Sequence, residues 1–266
     1  MMPESRGANL VGKVWVIGCM VWLVACGQPP IKWAGPAVPR GPAETIATPK
    51  MKTERRLCPG TVRFAFGADS LVYAAWWTKR PDSSAILRVA RSIDGGKRWE
   101  AAVSADERDR SVRGCSRPPP AIAYDADSGY LHLTYYLEPP EGSGIFYEHL
   151  MKGMFHAPLV IVYGERPVVA AVSAAGDTVV VAYEDPNRRT PQVMLAISYT
   201  AGHLFETRVS ASGDDVDARA PDVRVKGGRV TVGWYETGVR GEGDDDSQSG
   251  LRAVPVTRQG VLTGGR

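Results

Sequence analysis

Apolar residues in this chain come in short runs, each closed by Gly, Asp, Pro or Ser. Four runs share one design: 70–79 (SLVYAAWWTK), 130–138 (YLHLTYYLE), 178–185 (TVVVAYED) and 229–236 (RVTVGWYE). Each opens apolar, reaches an aromatic and ends polar. Aligning Trp76, Tyr135, Tyr183 and Trp234 sets the four 59, 48 and 51 residues apart. A shorter strand-like run precedes each one, at 61–67, 120–125, 167–173 and 221–227. A third follows at 85–92, 144–151, 192–200 and 250–257, and a fourth at 99–104, 157–163, 205–210 and 261–263. Runs this short, separated by turn formers, predict antiparallel meanders. After residue 57 no stretch holds a helical period, which disfavours α/β layering. Four strands in about 50 residues are the blade unit of a β-propeller. The expectation is an all-β fold: a small β-propeller of about four four-stranded blades spanning 57–266, closed or incomplete. A β-sandwich of the same strands is the structural alternative, but it leaves the fourfold register unexplained.

The N-terminal pattern differs. Residues 14–25 (VWVIGCMVWLVA) carry no charge and follow Arg6 and Lys13. A helix of that length reaches about 18 Å, short of a bilayer core of about 30 Å, and matches the apolar region of a signal peptide. It ends Leu23-Val24-Ala25-Cys26, which resembles the lipobox of bacterial lipoproteins. The resemblance implies removal of residues 1–25 and lipidation of Cys26, making a membrane the partner of that end. Gly27 lacks the acidic side chain associated with inner-membrane retention, which favours the outer membrane or cell surface. Pro29, Pro30, Pro36, Pro39, Pro42 and Pro49 make 26–56 read as a semi-rigid tether holding the domain away from the bilayer.

Composition sharpens this picture in two ways. A net charge of +3 over 266 residues, with no basic stripe, argues against nucleic acid as a partner. Of the four cysteines, Cys19 leaves with the signal and Cys26 is acylated. Cys58 and Cys115 remain as an expected disulfide of an exported chain, two buried thiols being the alternative. His132, His149, His156 and His203 show no ligand spacing, so neither a metal nor a cofactor is expected. The acidic groups Asp214, Asp215 and Asp217, and Asp244, Asp245 and Asp246, read as solvated loops rather than calcium sites.

Between the third and fourth strands of the first repeat stands Ser92-Ile93-Asp94-Gly95-Gly96-Lys97-Arg98-Trp99. It matches S-x-D-x-G-x-x-W, so the chain resembles the Asp-box (BNR) propellers of the sialidase superfamily. Ser92 and Asp94 supply turn acceptors, Gly96 tolerates positive φ and Trp99 caps the hairpin, a structural clip. A worn copy runs Ser198, Thr200, Gly202, Phe205. Asp-boxes also occur in non-enzymatic propellers, so activity does not follow from the motif.

Blade topology puts the clips on one face and the candidate ligand residues on the other. Arg117, Arg166 and Arg219 precede first strands at equivalent positions and could clamp an anionic ligand. Trp77, Tyr136 and Tyr235 stand at the ends of second strands as stacking surfaces, and the Trp76-Trp77 pair could meet a sugar ring. A sialidase pairs an arginine triad with a Tyr–Glu nucleophile, here sought among Tyr183, Glu184, Tyr235 and Glu236. Two departures weigh against catalysis. The first repeat begins Cys58-Pro59-Gly60-Thr61 rather than Arg-Ile-Pro, and six blades need about 300 residues where about 210 exist. The leading expectation is a non-catalytic module binding glycan or an envelope protein. The alternatives are an exo-sialidase-like glycoside hydrolase, and an assembly lipoprotein whose oligomer or partner completes the ring. A blander reading of the arginines pairs each with a neighbouring acid.

Overall fold

The computed structural model describes residues 29–41, 48–49, 56–237 and 253–264. The segment 1–25, Cys26 and Asp244, Asp245 and Asp246 lie outside them. Every regular element among the described residues is a strand. Two short ones come first, β1 (Ile31–Trp33) and β2 (Val38–Pro39). The first blade is β3 (Arg63–Phe66), β4 (Val72–Lys79), β5 (Ala85–Ser92) and β6 (Val103–Asp106). The second is β7 (Ala121–Asp125), β8 (Tyr130–Leu137) and β9 (Gly144–Met151), with β10 (Met154–Phe155) and β11 (Leu159–Tyr163) both paired to β9. The third is β12 (Ala170–Ala175), β13 (Thr178–Glu184), β14 (Val193–Ser198) and β15 (Thr207–Ser210). The fourth is β16 (Asp217–Lys226), β17 (Arg229–Thr237) and β18 (Val254–Leu262). All pairings are antiparallel, and the fold is all-β, a small propeller.

The second strands β4, β8 and β13 are buried on both faces, which is why their sequences run nearly continuously apolar, whereas β17 alternates and leaves Tyr235 exposed. In β4, Tyr73, Ala75 and Trp77 enter a cluster shared with Leu133, Tyr135 and Phe146 of the second blade. Ala74 and Trp76 face the other way, under Phe64 and Trp99, as strand alternation requires. The four aligned aromatics, Trp76, Tyr135, Tyr183 and Trp234, are all essentially fully buried. Equivalent clusters join the second blade to the third and the third to the fourth. Among the described residues no comparable cluster joins the first blade to the fourth. The inner strands still converge, because Arg63, Pro119, Val169 and Pro221 share one central cavity of about 280 Å³.

The first and fourth blades each carry an aromatic contact on the face turned away from their neighbour. On the first blade Trp99 packs against Phe64 with ring centroids 6.1 Å apart. On the fourth, Arg40 pairs with Asp222 and lies 5.8 Å from the centroid of the Tyr235 ring.

Two expectations need correction here. Residues 261–263 are not a separate fourth strand, since Val261 and Leu262 simply continue β18. The outer strand of the last blade is β1, with Ile31 opposite Leu262 and Trp33 opposite Gly260; β2 pairs with β18 further along. Part of the stretch read as a tether is therefore built into the domain. The reason is local: Ile31 is apolar enough to bury almost completely in the third–fourth blade core, and β18 offers it an unpaired edge.

The turns carry specific hydrogen bonds. Ser92 Oγ accepts from the Gly96 amide at 2.9 Å and donates to Asp94 Oδ1 at 2.9 Å. That same carboxylate oxygen accepts from the Arg98 amide at 2.9 Å. In the third blade Ser198 Oγ takes the Gly202 amide at 3.1 Å and Thr200 Oγ1 takes the Leu204 amide at 3.0 Å. Cys58 and Cys115 form a disulfide tying β4's edge to the connection between the first two blades.

Candidate functional site

On the face opposite these clips, the loops after β8, β11 and β13 enclose an open cleft of about 820 Å³. Glu141, Ser143, Glu165, Arg166 and Asn187 line it with polar groups, and Tyr163 presents a half-exposed ring. Its walls are fixed from below. Asn187 Nδ2 donates to the Tyr163 carbonyl at 2.7 Å, and the Arg166 guanidinium donates to the Asp185 carbonyl at 2.6 Å. Arg166 also stands 4.0 Å from Glu184, leaving part of its fork open to solvent. Cation, carboxylates, amide and a flat aromatic in one shallow depression suit a polyhydroxylated ligand with an acidic substituent.

Several sequence-predicted residues do not serve this face. Arg117 is nearly fully buried, pairs with the buried Asp109 at 3.0 Å and lies over the Trp77 ring. Trp77 is itself buried, donating its indole N–H to the Pro118 carbonyl at 2.9 Å, and Trp76 is equally inaccessible. Tyr136 is buried with its hydroxyl on the Glu165 carbonyl at 2.7 Å. Interior packing thus engages Arg117, Trp77 and Tyr136, against the ligand-binding role expected of them from the sequence. Arg219 is exposed but engaged with Asp217 at 2.7 Å. Each arginine has an acid partner, and Arg166 alone of the three lines the cleft.

The proposed nucleophile couples are also not assembled. Tyr183 and Glu184 are consecutive on β13 and point to opposite faces. Tyr183 lies buried in the second–third blade core. Burial pushes the Glu184 carboxyl up, while the Ala220 amide and the cations Arg166 and Arg219 hold it down. Its Oε1 accepts from Ala220 at 2.8 Å, where a register shift and positive φ (49°) interrupt β16. Glu184 thus satisfies a bulge. Tyr235 is exposed on the outer face of the fourth blade, and Glu236 accepts the Trp234 indole N–H at 3.0 Å.

Two polar clusters lie elsewhere. Between the first and second blades, buried Tyr135 donates to Asp106 Oδ2 at 2.8 Å, which also pairs with Arg108 at 2.7 Å. Beside them burial, with a contribution from Asp106, pushes the Glu148 carboxyl up to about 8. On the clip face, His149, His156 and His203 form a group, one ligand nitrogen of each within 4.8 Å of the others. Burial, then His203 and His156, pull the His149 imidazole down to about 4. The sequence spacing of the histidines concealed this convergence. One signal was present: a two-residue Lys152-Gly153 turn sets His156 opposite His149. For Tyr163 the signal was its place at the open end of a fourth strand.

No protein-family model matches the sequence, and no curated protein matches it. Among solved structures the chain is similar to a Hadza microbial sialidase at 14% identity and TM-score 0.44, over 65% of this chain and 41% of that one. It is similar to a thermostable family-43 glycoside hydrolase at 14% identity and TM-score 0.42, over 73% and 69%. A Dyadobacter fermentans protein of unknown function shows 13% identity and TM-score 0.37, over 72% of each chain. The chain spans about two fifths of the sialidase's length, and the likeness concerns the fold alone.

Proposed function

We propose that this chain is an exported, lipid-anchored propeller of the Asp-box type that binds an acidic glycan without cleaving it. The cleft carries the reading: Tyr163 offers a sugar ring a stacking face beside the partly free Arg166 fork. A guanidinium matches a sugar carboxylate bidentately, and an aromatic face covers the apolar side of a pyranose. Binding without chemistry is favoured because most nearby carboxylates are already committed, which leaves Glu165 as the one free acid lining the cleft among the described residues. Glu184 holds the β16 bulge, Glu138 pairs with Arg113 at 2.7 Å, and Glu141 pairs with Arg108. Glycosidic cleavage needs two acidic groups, or a Tyr–Glu pair, free to reach one bond.

The test is titration of the full chain with 3′-sialyllactose and with lactose, beside hydrolysis of a fluorogenic sialoside by the same sample. The expected result is binding of the acidic sugar only, weakened at least tenfold by Arg166→Ala and by Tyr163→Ala, with no turnover. Turnover abolished by Arg166→Ala would overturn the binder in favour of a hydrolase. Equal affinity for both sugars would overturn the assignment of Arg166.

A further inference from the structure

The histidine group on the clip face is independent of the cleft and is assembled by three separate pieces of backbone. His149 lies on β9. Across the tight turn at Lys152 (φ 51°) and Gly153 (φ 82°), β10 pairs Met154 with Met151 and Phe155 with Leu150. The same register sets His156 opposite His149, and the His156 amide donates to the His149 carbonyl at 3.0 Å. His203 arrives from the third blade, on the turn after β14, where its amide donates to the Thr200 carbonyl at 3.0 Å. That turn is seated on the second blade by two contacts. Gly202 (φ 88°) lies so close to the Tyr147 hydroxyl that any Cβ would collide with it, and Phe205 meets the Tyr147 ring edge-on at 4.8 Å.

The rings crowd together, with centroids 4.6 Å apart for His149 and His156, 4.7 Å for His149 and His203, and 5.8 Å for His156 and His203. His149 is only 3% exposed, and its Nε2 is buried with no hydrogen-bond partner. A buried orphan ring nitrogen costs free energy unless something occupies it. Behind it Tyr130 stacks on His149 at 5.6 Å, and the Tyr147 ring, whose hydroxyl meets His132 Nδ1 at 2.6 Å, lies 6.0 Å from the His149 ring.

We propose that His149, His156 and His203 bind one borderline divalent transition-metal ion of the Zn²⁺ class, clamping the second blade to the third. Three imidazoles and no thiolate suit such an ion over calcium or magnesium, which take oxygen. Metal–nitrogen bonds of about 2.0–2.1 Å draw tetrahedral ligands closer than 4.8 Å. The adjustment falls on the two outer rings, since His156 is half-buried and His203 exposed. Three protein ligands leave a fourth position, open to solvent on the His203 side.

The experiment uses the full chain without a histidine tag, stripped with chelator and titrated with Zn²⁺ by calorimetry. Co²⁺ serves as a spectroscopic probe, and thermal unfolding is followed in both states. One Zn²⁺ per chain, a four-coordinate Co²⁺ spectrum and a raised Tm are expected. His203→Ala and His156→Ala, both at accessible positions, are expected to weaken binding at least tenfold while an unchanged near-ultraviolet spectrum verifies their fold. Absence of Zn²⁺ binding to the folded chain at micromolar concentration would overturn the site, as would equal binding by both variants. Neither result bears on the sugar cleft, which is tested separately.

Discussion

At the residue scale, burial decides which polar side chains are free to act. Arg117 and Trp77 stack on each other inside the protein, and the energy of that pair goes into holding blades together. Glu148 is the sharper case, an acid nearly devoid of solvent whose Oε1 has no hydrogen-bond partner. Burial first, then Asp106, raises its carboxyl to about 8. The folded chain therefore keeps a proton that the unfolded chain has released, and stability falls as pH rises from about 5 to about 8. The loss is on the order of 3 kcal/mol. Glu148→Gln is expected to flatten this part of the profile, read as urea midpoint against pH. An unchanged slope would place the titration elsewhere.

At the element scale, the strand order of three blades could be read from the chain, and the fourth could not. Periodicity located β4, β8, β13 and β17 to within two residues, because strands buried on both faces, as the first three are, must be apolar throughout and β17, with one face open, alternates. It missed β1 because Ile31–Trp33 is three residues long and sits among prolines, which read as tether. Its partner β18 lies over two hundred residues away, and local pattern carries no record of such pairing. Ile31 is 4% exposed in the third–fourth blade core. Ile31→Ala is expected to cost about 3 kcal/mol by leaving a cavity, measured by equilibrium unfolding. A loss below about 0.5 kcal/mol would mean that β1 does not hold the last blade.

At the scale of the whole molecule, the docking of β1 bears on the proposed lipid anchor. The connection from a lipidated Cys26 to Pro30 is four residues, at most about 14 Å when extended. Under the proposed anchor the last blade's edge would stay close to the bilayer instead of at the end of a long spacer. Cys26→Ala is expected to move the full chain from the membrane to the soluble fraction after carbonate washing. Persistent membrane association would overturn the anchor.

What the sequence by itself determined is the repeating unit: strand, turn and blade, with Cys58 and Cys115 marked as partners and Ser92 and Asp94 as a clip. These rest on neighbours a few residues apart, or on counting, and local sterics and hydrogen bonding act at that range. Only the tertiary structure decided which arginine lines the cleft, that Tyr163 rather than Tyr136 faces solvent, and that His149, His156 and His203 meet. Those outcomes depend on how one blade packs on the next. A side chain's exposure is set by residues 20 to 50 positions away, through van der Waals fit that no local pattern encodes.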